Sequence, residues 1–436
     1  MRYSIVNLGC KVNRVESDDL AVSLEKLGME PWSRRHGGGG HAAEAPGDGL
    51  LGESTGADLV IVNTCTVTGE AEKKTRKAVR RALREHPRAS VVVTGCAAAI
   101  DAEAFRALDG RVVVAGKREL AEATRQADRL MELIPPLRSG FRAMPPRVDG
   151  RGEDPISVLR VGRGFPTRVG IKVQDGCDNA CTYCIVHVAR GRAWSRPADE
   201  VVEEYRHYTE AGVREIVLSG INIGTYREEG LDLADLLERL LGASSEARIR
   251  ISSIEPRDVS ERLIDLMARS DGRIARHLHL PLQAGSSRVL REMARPYSAE
   301  RYVDLVDRLY AAMPSLSLST DIIVGFPGES DDDFAETLAM ARRCRFSKIH
   351  VFPYSKREGT PAAIRSDQVP PNVKALRAAA LSELGDRLRN AAYEVRRGSV
   401  ERVLVETNGK GMTESYFEID VAAELTPGEL VELRLP

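Results

Sequence analysis

The stretch Gly176–Cys184 reads GCDNACTYC and holds three of the chain's seven cysteines. The chain has 436 residues, so this concentration of thiols in one loop is its strongest local chemical signal. Three thiolates can hold three irons of a four-iron, four-sulfur cluster and leave the fourth iron open to a ligand that is not protein. The stretch therefore predicts an iron–sulfur site with an open coordination position.

Two other uses of these thiols are considered. Structural zinc needs four closed ligands, and the nearby candidate for a fourth is His187, three residues past Cys184. Zinc stays open as an alternative at this point. A disulfide framework fits less well because the chain is long, has an odd number of cysteines and lacks a secretory signal. We therefore expect reduced thiols and a cytoplasmic protein.

The C-x3-C-x2-C spacing, with Tyr183 just before the last cysteine, resembles the radical S-adenosylmethionine (SAM) superfamily. In that superfamily the amino and carboxylate groups of SAM chelate the open iron. The resemblance implies that the cluster on Cys177, Cys181 and Cys184 passes one electron to SAM and releases a 5′-deoxyadenosyl radical.

Cys10, Cys65 and Cys96 each end an apolar, β-branched run that predicts a buried parallel strand. Helical segments follow, such as Gly69–Glu85 after the second run, which indicates a doubly wound α/β domain. The carboxyl ends of such strands lie along one edge of the sheet, where these folds bind their ligands. The three cysteines are thus expected to converge.

Any one of these cysteines alone fits the role of a small buried hydrophobe. Because three occupy the same structural position, we interpret them as ligands of a second cluster, again with one open iron. Cys344 follows the helical stretch Asp331–Arg343 without a partner in sequence, and we interpret it as structural.

Several further motifs resemble those of the methylthiotransferases, and they span nearly the whole chain. The matching segments are Cys10–Asn13 with Glu16 and Ser17, Asn63–Thr68, Gly95–Cys96, Ala189–Gly191, Ser195–Pro197, His279–Ser286, Asp321–Glu329 and His350–Ser355. The resemblance implies a transferase with two [4Fe-4S] clusters that inserts sulfur and a methyl group at an unactivated carbon. The cluster on Cys10, Cys65 and Cys96 would present the methylated sulfur.

Within that family, Leu218–Tyr226 and Ser252–Pro256 look most like the branch that modifies threonylcarbamoyl-adenosine at position 37 of tRNA. In that branch the radical removes hydrogen from carbon 2 of the adenine. The alternatives are a methylthiotransferase acting on isopentenyl-adenosine in tRNA or on a ribosomal-protein aspartate, and a non-catalytic zinc or RNA-binding protein. The implied partners are the anticodon stem-loop and an electron donor such as a flavodoxin or ferredoxin.

No apolar stretch is long enough to cross a membrane.

The cofactor pocket beyond the iron is predicted from positions at strand ends. We expect it to be lined by Ser219, Gly220, Asn222, Ser253 and Gln283. Ordinary loop hydrogen bonding is the alternative role for each of them.

The sequence departs from the family pattern in three places. Arg34–Gly56 is a glycine-rich insertion expected to form a surface loop. Ala97–Ala99 stands where a glutamine often lies nearby, and His187 stands where proline is common. Neither of the latter two changes removes a cluster ligand.

The fold class is α/β, with three domains expected. Residues 1–134 form the amino-terminal domain, 135–164 a linker rich in proline, arginine and glycine, 165–397 a partial (β/α)6 barrel with a trailing helix, and 398–436 a short β domain resembling the RNA-binding TRAM domain. The six barrel strands are predicted at Val169–Val173, Glu215–Ser219, Ile249–Ser253, His277–Leu282, Leu318–Val324 and Lys348–Pro353. Three antiparallel strands are predicted at Val400–Glu406, Ser415–Val421 and Glu429–Leu435.

The formal net charge is −1, which neither favours nor excludes RNA. Charge is unevenly distributed, however, because Lys73–Arg84 forms a strongly basic helical segment and the linker is basic too. Such stretches can neutralise phosphates, although a basic helix is more often a solvated face.

Overall fold

The computed structural model describes residues 1–32, 56–65, 69–135, 137, 167–407 and 409–436. The chain divides into two compact units, Met1–Glu153 and Asp154–Pro436. The predicted insertion at 34–56 and the predicted linker at 135–164 fall almost entirely outside the described residues. No described helix combines the length and apolar character needed to cross a membrane.

The first unit is built from one parallel sheet and its helices. The strands are β1 (Arg2–Asn7), β2 (Glu30–Pro31), β3 (Leu59–Thr64), β4 (Ser90–Gly95) and β5 (Val112–Val114). The helices are α1 (Lys11–Lys26), α2 (Gly69–Glu85), α3 (Cys96–Ile100), α4 (Ala102–Arg106), α5 (Lys117–Ala123) and α6 (Ala127–Leu133). The strand order is β2-β1-β3-β4-β5, so the chain reverses direction across the sheet between β1 and β3.

The central strand β3 is buried on both faces, and its side chains alternate between two apolar cores. Leu59 and Ile61 pack in one core with residues of α1, α5 and α6. Val60 and Val62 pack in the other with residues of α2, α3 and α4. Helices therefore cover both faces of the sheet, which is the doubly wound arrangement expected from the unbroken apolar runs.

The second unit carries most of the remaining elements. Its strands are β6 (Arg168–Lys172), β7 (Gln174–Asp175), β8 (Trp194–Ser195), β9 (Glu215–Ser219), β10 (Arg248–Ile251), β11 (His277–His279), β12 (Ser317–Val324), β13 (Lys348–Pro353), β14 (Val400–Val405), β15 (Lys410–Thr413), β16 (Glu418–Asp420) and β17 (Leu430–Arg434). Its α-helices are α7 (Val186–Arg190), α8 (Ala198–Glu210), α9 (Leu233–Ala243), α10 (Glu261–Arg269), α11 (Ser287–Glu292), α12 (Ala299–Ala312), α13 (Asp331–Cys344) and α14 (Pro371–Glu394).

Two three-stranded parallel sheets form the curved wall of this unit, in the orders β10-β9-β6 and β11-β12-β13. Parallel bridges at Ile249–Ile274 and Ser253–His279 join them. Each of the six predicted barrel strands overlaps one of these strands, and helices follow them along the chain. Ser330 is the N-cap of α13 and forms a capping box with Asp333.

The carboxyl-terminal sheet is antiparallel, with the order β16-β15-β14-β17. The predicted strand Ser415–Val421 starts too early, because strand β16 begins only at Glu418, and the prediction missed a further strand, β15, before it. The backbone turns at Tyr416, whose φ of 69° is left-handed, and Thr413 N donates to Phe417 O at 2.9 Å across the turn. Alternation alone did not reveal this tight turn within a polar–apolar pattern.

A buried ion cluster joins the amino-terminal end of the parallel wall to this antiparallel sheet. Glu215 of β9 and Arg248 and Arg250 of β10 are almost fully buried, and both guanidinium groups pair with the carboxylate. Burial would raise the pKa of Glu215, but Arg248 and then Arg250 lower it to about 2.

The same guanidinium groups also bond to carbonyl groups of the antiparallel sheet. Arg248 donates to Arg402 O at 2.6 Å and Arg250 to Glu414 O at 3.0 Å. The side chain of Tyr416 lies against this cluster, with the Arg250 guanidinium 4.9 Å from its ring centre and the His277 ring stacked at 4.7 Å. We call Glu215, Arg248, Arg250, His277 and Tyr416 the barrel floor.

Replacing Glu215 with glutamine is expected to lower the free energy of unfolding by about 3–5 kcal/mol, because two buried guanidinium groups lose their counter-charge. The control is Glu238→Gln, which removes partly exposed pairs with Arg262 and Arg269 and should cost less than about 1 kcal/mol. Urea unfolding followed by circular dichroism measures both.

The pH dependence of this effect follows from the lowered pKa. The stabilisation by the Glu215 carboxylate is fully present above the ordinary pKa of 4.5 and is lost as the pH falls toward 2. The wild type and Glu215→Gln are therefore expected to approach the same free energy of unfolding in acid. Equal stability of Glu215→Gln and Glu238→Gln at neutral pH would contradict this account of the barrel floor.

Candidate metal and cofactor sites

The loop with three cysteines follows β6 and is held by a short hairpin. Gln174 and Asp175 of β7 pair with Ser195 and Trp194 of β8. Cys177 N then donates to Gly191 O at 3.1 Å, so the loop lies against the segment after α7. The backbone approach is close, because a Cβ on Gly176, whose φ is 74°, would lie 2.0 Å from Arg192 O.

Asp175 anchors the start of this loop. Its carboxylate accepts from Gly176 N at 2.8 Å and from the guanidinium of Arg190 at 2.8 Å, and Lys172 Nζ lies 3.2 Å away. Burial alone would raise the pKa of Asp175, but Arg190 and then Lys172 lower it to about 2. The carboxylate therefore stays ionised and ties β6, the loop and α7 together.

The three thiols already receive hydrogen bonds of the kind that stabilise cluster ligands. Asn179 N donates to Cys177 Sγ and Val186 N to Cys184 Sγ, each at 3.4 Å, and Arg295 Nη1 lies 3.1 Å from Cys181 Sγ. Burial raises the pKa of Cys177, and raises that of Cys184 to about 11. A bound cation would compensate for this cost and favour the thiolates, so the donor set fits an iron–sulfur cluster.

A structural zinc site would need closely spaced ligands. Tetrahedral zinc with bonds of about 2.3 Å needs sulfurs about 3.8 Å apart. Across the described part of the chain, His279, Asp321 and His350 form the only group of three potential ligands whose atoms all lie within 4.8 Å of one another. His187 is exposed on α7. Neither cysteine set forms so compact a group among the described residues.

Two residues that the sequence analysis did not single out complete the surroundings of the loop. Arg295 contacts the carboxylate of Glu255 as well as Cys181, and Asn179 Nδ2 lies 3.5 Å from Glu255 Oε2. Glu255 does fall within a motif quoted above, but no local pattern marked Arg295, which is more than a hundred residues from the cysteines. Their pairing is a long-range contact that only the fold reveals.

Three of the predicted pocket residues lie at the carboxyl end of β9. Ser219 is the last residue of the strand, and Asn222 N donates to the buried side chain of Gln174 at 2.9 Å. Gly220 lies close to Gln174, because a Cβ at this position would be 3.0 Å from Gln174 Oε1. The Asn222 side chain bonds to Asp258 Oδ2 at 2.8 Å, so it shapes the loop.

Ser253 and Gln283 lie at the ends of the next two strands. Ser253 pairs with His279, and Gln283 pairs with Ile322 and has a left-handed φ of 67°. Such backbone at a residue other than glycine is often found at binding sites. The buried hydroxyl groups of Ser219 and Ser252 have no hydrogen-bond partner among the described residues. The strand ends thus contain buried hydroxyl groups that lack a partner among the described residues, and a polar cofactor such as SAM could supply one.

In the first unit, the structure brings the other three cysteines to one edge of the sheet. Thr64 and Gly95 are paired in register, and Cys65 and Cys96 are the residues that follow them. Cys10 is the N-cap of α1 after β1, and a Cβ on Gly9 would lie 3.0 Å from Cys65 Cβ. Cys65 and Cys96 are buried and Cys10 is exposed.

A buried polar network underlies this edge. Asn13 Nδ2 donates to Asn63 Oδ1 at 3.1 Å and to Thr64 O at 2.8 Å, and Asn63 Nδ2 returns a bond to Asn13 O at 2.9 Å. Lys117 Nζ lies 3.2 Å from Asn13 Oδ1 and pairs with Glu16. These bonds fix the start of α1, and with it Cys10, against the end of β3 and the start of α5.

Cys344 lies apart from both sets. It is fully buried at the end of α13 in the core of the second unit, with its sulfur 3.8 Å from Met340 Sδ. Burial raises its pKa to about 12, so it remains a neutral thiol. This environment agrees with its interpretation as structural.

Substituting Gly176 with alanine is expected to reduce the iron bound at the second-unit loop at least several-fold, because the new Cβ would overlap Arg192 O. The control is Gly212→Ala, which has a left-handed φ of 91° but no atom within 4 Å of the new Cβ. Both proteins are reconstituted with iron and sulfide without oxygen and assayed for iron. Equal iron contents would contradict the proposed tight fit of the loop.

Family models match parts of both units. Residues 171–341 match the radical SAM superfamily, and residues 43–116 match a family described as uncharacterized protein family UPF0004. The radical SAM match implies a [4Fe-4S] cluster and SAM. Among solved structures, the radical SAM methyltransferase TsrM of Kitasatospora setae has a TM-score of 0.54 at 17% identity, with 83% of this chain and 77% of that chain covered. At this identity the similarity shows the fold alone.

Curated relatives are much closer in sequence. The chain is 36% identical over 427 residues to the threonylcarbamoyladenosine tRNA methylthiotransferase MtaB of Bacillus subtilis (strain 168), covering 94% of this chain and 88% of that protein. It is 34% identical to the tRNA-2-methylthio-N(6)-dimethylallyladenosine synthase of Carboxydothermus hydrogenoformans, with the same coverage of both chains. These matches extend over nearly the whole chain. The protein is thus an enzyme that belongs to the radical S-adenosylmethionine methylthiotransferase family.

Proposed function

We propose that this enzyme converts threonylcarbamoyl-adenosine at position 37 of tRNA, next to the anticodon, to its 2-methylthio derivative. The observation that carries the proposal is the presence of two separate cysteine triads, each at the carboxyl ends of parallel strands and one in each unit. The branch within the family is favoured by the name of the Bacillus subtilis relative.

The two triads have different roles in this proposal. Cys177, Cys181 and Cys184 hold the radical-generating cluster, with SAM in a pocket lined by Ser219, Gly220, Asn222, Ser253 and Gln283. Cys10, Cys65 and Cys96 hold a second [4Fe-4S] cluster that delivers the sulfur. When bound, the clusters and SAM supply the one-electron chemistry needed to replace a C–H bond that has no acidic proton.

The remaining residues of the site position these groups. Arg295 places a positive charge beside Cys181 and is held by Glu255. The loop of Gly220 and Asn222 is fixed through Gln174, which also donates to Gly176 O at 2.9 Å and so couples the predicted SAM pocket to the cysteine loop.

The proposed RNA contacts involve both units. Helix α2 buries Val79, Ala82 and Leu83 and exposes most of its lysines and arginines, so its outer face can neutralise phosphates. We assign residues 1–134 to the sulfur-delivering domain, 135–164 to a linker, 165–397 to a (β/α)6 barrel and 398–436 to a TRAM-like RNA-binding domain. A flavodoxin or ferredoxin in the cytoplasm would supply electrons.

A second candidate substrate is isopentenyl-adenosine at the same tRNA position. It is favoured by the 34% identity to the dimethylallyladenosine synthase of Carboxydothermus hydrogenoformans. The two substrates share the adenine and its carbon 2, and differ in the group on N6. A direct comparison of substrates therefore separates the two candidates.

The substrate is tested with reconstituted enzyme, SAM, a reductant and three forms of one tRNA, carrying threonylcarbamoyl-adenosine, isopentenyl-adenosine or adenosine at position 37. We expect the methylthio group, measured by mass spectrometry of the nucleosides, only on the threonylcarbamoyl form. The triple variant with alanine at Cys10, Cys65 and Cys96 is the control and should form no methylthio product while still cleaving SAM. Product on the isopentenyl form alone would overturn the substrate assignment.

A further inference from the structure

A compact polar cluster in the second unit contains none of the cysteines. Its members are His279 of β11, Asp321 of β12 and His350 of β13, and their ligand atoms all lie within 4.8 Å of one another. His279 Nε2 is 3.3 Å from Asp321 Oδ1, and the two imidazole rings are 5.7 Å apart. Neither the cysteine chemistry nor the predicted SAM pocket uses these three side chains.

The alternation of side chains along the strands decides which face carries the cluster. Leu278, Leu280 and Ile322 are fully buried in the apolar core of the unit. On β13, the Ile349 side chain lies against α14, where a Cβ on Gly385 would be 3.5 Å from it. Successive side chains of a strand point to opposite faces, so His279, Asp321 and His350 point away from these packed residues. The cluster therefore lies on the concave side of the wall, inside the curve of the strands.

The cluster lies directly above the barrel floor. Two residues before His279 on the same strand, His277 stacks on Tyr416. Ser319 Oγ lies between the two histidines, 3.0 Å from His277 Nε2 and 2.9 Å from His279 Nδ1, which fixes the His279 ring. The cluster therefore lies one layer further along the strands than the barrel floor, and His350 is exposed there.

The cluster also lies close below the cysteine loop. His279 pairs with Ser253, and Glu255 is two residues further, about 7 Å along an extended chain. Glu255 contacts Arg295, which reaches Cys181. A ligand that has one end near the cysteine loop and extends a few ångströms toward the floor would thus meet His279, Asp321 and His350.

We infer that His279, Asp321 and His350 bind the threonylcarbamoyl group on N6 of the substrate adenosine and determine which substituted adenosine is accepted. The inference rests on the proposed function. Carbon 2 and the N6 substituent lie on the same edge of adenine, separated by N1, so a base that presents carbon 2 to the cysteine loop can direct its substituent toward the floor.

The chemistry of the three side chains matches this group. The threonylcarbamoyl substituent has a carboxylate, a hydroxyl and urea N–H groups. Imidazole N–H groups can donate to the carboxylate, and the Asp321 carboxylate can accept from the hydroxyl or the urea. An isopentenyl group has no hydrogen-bonding atoms, so these three polar side chains would lose their hydrogen bonds to water without gaining any to the substrate. A site built to hydrogen-bond its substrate rejects such an analogue strongly.

The test uses two variants of the reconstituted enzyme, His350→Phe and Asp321→Asn. We expect kcat/KM for the threonylcarbamoyl form of the tRNA to fall about 10- to 100-fold in each, as for the loss of one or two hydrogen bonds to a charged group. Cleavage of SAM without tRNA and the iron content should change less than about two-fold. The ratio of kcat/KM for the threonylcarbamoyl and isopentenyl forms should shift toward the isopentenyl form by at least about 10-fold.

Binding supplies a second readout that does not depend on turnover. An anticodon stem-loop carrying threonylcarbamoyl-adenosine should bind the wild type more tightly than one carrying adenosine, and each variant should lose most of that difference. The matched control is Asp304→Asn, which changes an exposed aspartate on α12 and should leave every measurement unchanged.

The outcomes separate this inference from the proposed function. If the wild type modifies only the isopentenyl form, the proposed function fails and the inference fails with it. If the wild type modifies the threonylcarbamoyl form and both variants keep full kcat/KM, only the inference is overturned. The inference is also overturned if the variants no longer cleave SAM in the absence of tRNA, because the cluster would then serve the cofactor. Loss of about one equivalent of a metal other than iron would overturn it as well, because the cluster would then bind a cation.

Discussion

The parallel pairing of strands is the constraint on which the rest of this structure depends. In a parallel sheet the carboxyl ends of neighbouring strands share one edge, so residues far apart in sequence become neighbours there. In the first unit, the register of Thr64 with Gly95 brings Cys65 and Cys96 to the same edge of the sheet, and the turn after β1 adds Cys10. In the second unit the cysteine loop, Gly220, Ser253 and Gln283 meet at strand ends in the same way.

The opposite end of the second unit is closed by charge and aromatic stacking. Glu215 is buried with two arginines whose remaining donors bond to backbone carbonyls of the antiparallel sheet. Such a cluster is stable only while every charge keeps its partner. It places Tyr416 against one end of the parallel wall, and the proposed cofactor site lies at the other end, beside the cysteine loop. The polar layer between these two ends is what we assign to substrate recognition.

Sequence patterns predicted the elements that local chemistry determines. The apolar runs before Cys65 and Cys96 predicted β3 and β4, and the predicted helix Gly69–Glu85 matches α2. The contacts of Arg295 with Cys181 and Glu255 could not be predicted, because they join loops that approach only after the strands pair. The turn at Tyr416 was missed because its left-handed residue is not glycine and nothing in the alternating pattern marks it. The insertion at 34–56 falls almost entirely outside the described residues, so its interpretation stays a prediction.

The central claim is that each unit builds its own iron–sulfur site, and counting iron tests it most directly. The protein is purified and reconstituted without oxygen, and the wild type is compared with two triple alanine variants, one at Cys177, Cys181 and Cys184 and one at Cys10, Cys65 and Cys96. The account predicts about eight irons per chain in the wild type and about four in each variant. About four irons in the wild type, unchanged when the amino-terminal cysteines are removed, would contradict it.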